Sequence, residues 1–355
     1  MPAGVLVLLV LACSPAANTT SSSTIDPNPS SSSTSQPPAV GMEIDDKLPG
    51  EELWALVPGN DPDSDRINLV FASWGWGDHR EFLNLVTGAL SWGGAAYLID
   101  DGGQVTDVDS TAVGAALGLF AIEPWRSSRG VFNVWYTDLE PETPVSWLNS
   151  EDHPFQVDDV VVVTIAVDAE RFNPDLTSVA GQDGTFVGPG APERPTSGNP
   201  FSHAVVLVDS AFPTAGLVDV AHELGHAMFN LPDEYVGERL GFDGREDLSS
   251  WPSCAEDAAE AEEWWGDLDG DVDPMLIVWA AEMDKAGFPI GDIGLWSELI
   301  VVGVVDGGCY GVPGSARATL DSLMNTSMPV LGSVNRLWAE QVLRLWDGAD
   351  RAPLG

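Results

Sequence analysis

Positive charge is scarce in this sequence. Lys and Arg together number 14 against 55 Asp and Glu, the formal net charge is −41, and the only lysines are Lys47 and Lys285. Nucleic-acid binding needs a basic footprint to neutralise phosphates, and none exists here. The same balance disfavours docking by charge on anionic lipid and suits a medium whose cations screen self-repulsion. Long apolar runs are missing as well: Val5 to Leu11 falls far short of the ~20 residues of a membrane-spanning helix. No repeat of solenoid or propeller period occurs. Histidine is rare, with 5 in 355 residues, so two at ligand spacing carry weight. Cysteine is confined to Cys13, Cys254 and Cys309.

What is present begins with an export pattern. The run Val5 to Leu11 closes on Ala12 and Cys13 and is followed by small polar residues, which reads as a signal peptide over residues 1–12. Val10-Leu11-Ala12-Cys13 resembles a bacterial lipobox, in which the Cys becomes the lipidated first residue. An ordinary secretory signal cut near Ala16 or Ala17 is the alternative. Residues 13–42 are then the lipidated Cys and a Ser/Thr/Pro-rich tether, too poor in apolar surface to offset its ordering entropy. The expected membrane link is the lipid on Cys13 alone, and the expected location is the bacterial cell surface or periplasm, or the medium if no lipid is added. Cys254 and Cys309 form an even remainder, which in an oxidising compartment suggests a disulfide, with two buried thiols as the alternative.

The folded domain is expected over residues 43–355. Ile67 to Ser73, Phe132 to Tyr136, Val160 to Val167 and Ala204 to Val208 read as strands, the last two apolar enough to be buried on both faces. Helices are expected over Asp78 to Leu90, Gly216 to Leu231 and Val334 to Trp346. Gly241 to Asp273 reads as loop with a short helix from Ala255 to Trp265. Strands mixed with helices imply an α/β or α+β layer structure.

The chemistry lies in the middle helix. Leu217, Val220, Leu224, Met228 and Leu231 recur at spacings of three and four, the mark of a buried helix face, and inside it stands His222-Glu223-Leu224-Gly225-His226. Residues four apart share one face of a helix, so His222 and His226 can bind one metal ion while Glu223 accepts a proton from its water. A catalytic zinc takes three protein ligands and leaves a fourth position open. No further His follows, and two acids compete to be the third ligand: Asp233, which is favoured, and Glu234. Pro232 is expected to stop the helix near Leu231 so that the chain turns back, and Ala204 to Val208 is expected to bind substrate as an added strand. The acid left over would hydrogen-bond a ligand His. His79, His153 and His203 lack ligand spacing and read as ordinary histidines.

His222 to His226, followed by Leu231-Pro232-Asp233-Glu234-Tyr235, resembles the bacterial metallopeptidases typified by the immunoglobulin-A-specific (IgA) enzyme. Ile67 to Phe71, Phe132-Asn133-Val134, Gly307-Gly308-Cys309-Tyr310 and Ser322-Leu323-Met324 extend the likeness over residues 66–346. The resemblance implies a zincin-like fold, with a mixed, mostly parallel sheet packed on the catalytic helix and Met324 in a turn beneath the metal; simple core packing is the alternative for Met324. It also implies a zinc-dependent endopeptidase acting on protein or peptide substrates, with Glu223 as general base and acid. It does not extend to immunoglobulin A as target. A surface-anchored binding or adhesion protein with a structural metal site is the alternative. Asp267 to Asp273 alternates acids around a Gly, as a structural Ca2+ loop does, but lacks the distal Glu and reads more simply as a solvated acidic turn. Oligomeric state is not legible in the sequence.

Overall fold

The computed structural model describes residues 53–56, 66–90, 118–144, 159–168, 202–208, 216–234, 251–285, 290–309, 314–325 and 328–346, with short stretches and single positions between them. The signal peptide, Cys13, the tether, His153 and Tyr235 lie outside the described residues.

In chain order the elements are β1 (Trp54–Ala55), β2 (Ile67–Trp74), α1 (His79–Leu90), β3 (Leu98–Ile99), β4 (Val105–Thr106), α2 (Trp125–Ser128), β5 (Phe132–Thr137), β6 (Val160–Val167), β7 (Val179–Gln182), β8 (Ser202–Val208) and α3 (Gly216–Phe229). The C-terminal half adds β9 (Cys254–Ala255), α4 (Ala258–Trp265), α5 (Met275–Lys285), α6 (Ile293–Ile300), β10 (Val305–Asp306), β11 (Ala316–Arg317) and α7 (Ser333–Trp346). The principal sheet has six strands in the order β1-β5-β2-β6-β8-β7. Its four central strands run parallel, and the edge strands β1 and β7 are antiparallel to their neighbours. The protein is therefore mixed α/β with a mostly parallel sheet.

The near-continuous apolar strands are explained by burial on both faces. In β2 and β6, Leu69, Phe71, Val161, Val163 and Ile165 enter the main core with the helices, while Val70, Ala72, Val160 and Val162 enter a second cluster with Trp147 and Phe155. Among the buried polar side chains of the sheet, Asn68 Oδ1 accepts from Asn133 Nδ2 at 3.1 Å and from Trp135 Nε1 at 2.9 Å.

On the main-core side lie Phe82 and Val86 of α1, Val220, Leu224 and Met228 of α3, and Trp338 and Val342 of α7. Trp338 Nε1 donates to the Phe229 carbonyl at 2.9 Å, fastening α7 to the end of α3. A small sheet, ordered β10-β11-β9, carries the disulfide between Cys254 and Cys309.

Two expectations need correction. The helix from residue 216 ends at Phe229, not Leu231, because Asn230 turns left-handed at φ 53 and the Leu231 N–H bonds back to the Gly225 carbonyl at 3.2 Å. Asn tolerates that conformation, so the stop precedes Pro232. The second concerns β8, whose edge is not open: over Ser202 to Val205 it is bonded to β6 on one side and to β7 on the other. The edge strand on that side is β7, which lies against α3.

Candidate metal centre

Helix α3 brings His222 and His226 onto one face, and their rings meet edge to face with centroids 4.8 Å apart. The left-handed turn at Asn230 then sends residues 231–234 back across that face. His222 Nε2, His226 Nε2 and Asp233 Oδ1 converge: each nitrogen lies 3.1–3.2 Å from the carboxylate oxygen, and the two nitrogens are 3.1 Å apart. His222, Asp233 and the neighbouring Glu223 are all buried. Among the described residues His222, His226 and Asp233 form a group that could hold a single metal ion.

The outer nitrogens decide what the inner ones offer. His222 Nδ1 lies 2.7 Å from the Leu323 carbonyl, and His226 Nδ1 lies 2.6 Å from the Leu231 carbonyl. A carbonyl brings no hydrogen, so each Nδ1 carries the proton and donates it. In the neutral imidazole each Nε2 then presents a lone pair inward. Two imidazole lone pairs and one carboxylate oxygen face each other without a hydrogen between them, which is the donor set of a small divalent cation. Burial alone would push the Asp233 carboxyl up; with no metal present, protonated imidazoles would outweigh it through their hydrogen bonds and charge and hold the group well below the usual carboxylate range.

Glu234 does not join this group. It is fully buried, and its carboxylate is taken by neutral donors: Ser322 Oγ donates to Oε2 at 2.7 Å and Asn335 Nδ2 to Oε1 at 2.9 Å. Burial pushes its carboxyl up, against those hydrogen bonds and the charge of Arg317. Of the two acids the sequence offered, the fold thus brings Asp233 to the histidines and turns Glu234 away.

Met324 lies directly behind the histidine helix. A Cβ on Gly225 would sit 2.7 Å from Met324 Sδ, so the glycine between the histidines is what lets this side chain approach. Its neighbour Leu323 supplies the carbonyl that orients His222. Asp219, one turn before His222, is a further acid that motif reading did not single out; burial pushes its carboxyl up, while His222 pulls the other way.

The remaining candidates lie elsewhere. His203 is buried and shares a 3.0 Å hydrogen bond with Thr164 Oγ1, and His79 pairs with Asp138 at 3.0 Å. Asp273 is clasped through both oxygens by Arg336 Nε at 3.1 Å, Asp271 accepts from Ser333, and Asp267 and Asp269 are exposed. The acids of 267–273 are therefore spent on α5 and α7 or left to solvent, and among the described residues they gather around no common point. No described helix is long and apolar enough to cross a membrane. No protein-family model matches the chain, and no curated protein matches its sequence.

Proposed function

We propose that this protein is a zinc-dependent endopeptidase, with His222, His226 and Asp233 as metal ligands and Glu223 as general base and acid. The observation that carries this reading is the triangle of lone-pair donors. Zinc bonds of about 2.0–2.1 Å at tetrahedral angles separate neighbouring ligands by roughly 3.3–3.4 Å, close to the 3.1–3.2 Å separations found here. Three protein ligands of this type leave a fourth position for water or substrate, whereas structural zinc sites fill all four, with Cys and His. The resemblance of His222 to Tyr235 to the IgA-type metallopeptidases, and with it a zincin-like arrangement, points the same way.

Zinc held by His222, His226 and Asp233 would supply a Lewis acid that polarises the scissile carbonyl and acidifies water. Glu223, one residue from the first ligand, takes the water's proton as the peptide is attacked and passes it to the departing amine. Leu323 and Leu231 hold the imidazoles in the tautomer that keeps Nε2 available. An extended substrate can add to the edge strand β7, which runs antiparallel to β8 and lies beside α3, through backbone hydrogen bonds that are indifferent to sequence. The Cys254–Cys309 disulfide supports export to an oxidising compartment.

The test is cleavage of casein by the full chain. Glu223→Gln is expected to lower kcat by about 10²–10⁴-fold while bound zinc stays stoichiometric. His222→Ala is expected to lose both metal and activity. Zinc that binds with four protein ligands and no cleavage of any peptide would favour the binding-protein alternative and end the enzyme reading.

A further inference from the structure

We propose that Glu234 is a positioning residue, which fixes the Asp233 carboxylate against the two imidazoles by tying residues 231–234 to the segment behind the histidine helix. This rests on the metal-site reading above. Both ends of Glu234 are engaged. Its backbone N–H donates to the Met324 carbonyl at 2.9 Å, and its own carbonyl accepts from Arg317 Nη1 of β11. Its carboxylate accepts from Ser322 Oγ and from Asn335 Nδ2 of α7. One residue thus joins three parts of the fold at the position next to Asp233.

The partners are not arbitrary. Ser322 Oγ also accepts from the Met324 N–H at 3.0 Å, so the Glu234 carboxylate and the 322–324 turn share one hydroxyl. That turn presents the Leu323 carbonyl to His222 and Met324 to Gly225. Displacing Glu234 would therefore loosen Asp233 directly and the orientation of His222 through Ser322. A carboxylate fully removed from water is expensive to keep, even with neutral donors on its oxygens and the Arg317 charge nearby. An apolar side chain would serve packing better, and the one thing it could not do is hold this turn in place. Partners of this kind govern how firmly a metal is gripped.

The experiment is cobalt(II) titration of the chelator-treated full chain, read by affinity and by the visible d–d spectrum. Glu234→Ala is expected to weaken cobalt binding by about 10–100-fold and to change band positions and intensities, because ligand geometry changes. Glu234→Gln is expected to restore both. Its amide oxygen can accept from Asn335 Nδ2 and its NH2 can donate to Ser322 Oγ, so both tethers are kept without turning the Asn335 amide away from the Leu331 carbonyl. Should Glu234→Ala not fold, Ser322→Ala is read in its place with the same expected spectral change. Wild-type chain that binds cobalt through His222 and His226, with Glu234→Ala or Ser322→Ala giving the same affinity and spectrum, overturns this inference and leaves the metal site standing. Wild-type chain that binds no cobalt overturns both.

Discussion

Gly225 shows how much a single residue can be asked to do. It stands between the two histidines, and a methyl group in its place would meet Met324 Sδ at 2.7 Å and Leu231 Cδ1 at 3.5 Å. Gly225→Ala gains up to about 1 kcal/mol of helix propensity but overpacks the site by about 1–3 kcal/mol. The expected net loss is about 1 kcal/mol in urea unfolding. Combining it with Met324→Ala, which alone opens a cavity, is expected to cost less than the two separate losses together, since the new methyl occupies space the methionine leaves. Strictly additive losses would mean the two side chains do not meet. At this scale the sequence was informative where chemistry depends on helical spacing: His222, Glu223 and His226 could be named from their separation alone. Asp233 and Glu234 could only be offered as alternatives. Which of two adjacent acids faces the histidines depends on the left-handed turn at Asn230 and on Ser322 and Asn335, about 90 and 100 residues further along the chain.

Elements built from periodic apolar residues were readable: β2, β5, β6, β8, α1, α3, α4 and α7 all lie where the pattern places them, within a few residues. The pair α5 and α6 was not. Met275 to Lys285 and Ile293 to Ile300 pack Leu276 and Ile300 into a satellite cluster while leaving Ile277 and Leu295 exposed, so apolar residues fall all round and no single face stands out. β7 was missed for a related reason, because Val179-Ala-Gly-Gln182 is short and holds a single branched residue, Val179, beside a Gly. The position of α5 is held by Asp273, which is fully buried, bonds the Met275 N–H at 3.0 Å and is clasped by Arg336 of α7. Asp273→Asn removes the buried charge that faces Arg336, which keeps Glu340 as its other partner, and is expected to cost about 1–3 kcal/mol, with little recovery at high salt. A loss below 1 kcal/mol would mark the pair as a solvated contact. The disulfide acts at the same scale. It joins positions 55 residues apart, and closing a loop of that length removes about 4 kcal/mol of chain entropy from the unfolded state. Replacing Cys254 and Cys309 together by Ala is expected to lower stability by about 2–5 kcal/mol. Because Arg317 of β11 pairs in register with Cys254 and reaches the Glu234 carbonyl, the same variant is expected to bind cobalt more weakly.

The whole molecule is governed by its charge. At −41 the folded chain repels itself more than the expanded one does, so screening favours folding. The thermal midpoint is expected to rise with NaCl, and most of the rise is expected below about 0.3 M, since the Debye length has already fallen to ≈ 8 Å at 0.15 M. A rise that continues linearly to 2 M would instead be the general salting effect on apolar surface, and a flat response would mean the acids are locally compensated. The same field acts on the proposed substrate with the opposite consequence. A negative surface draws cationic polypeptides in and speeds their encounter, and salt removes that advantage. For a Lys- and Arg-rich peptide kcat/KM is therefore expected to fall over the same range of NaCl in which the thermal midpoint climbs, while an acidic peptide of equal length gains. A kcat/KM for the cationic peptide that rises together with the thermal midpoint would show that the charge of this chain shapes its folding and not its choice of substrate.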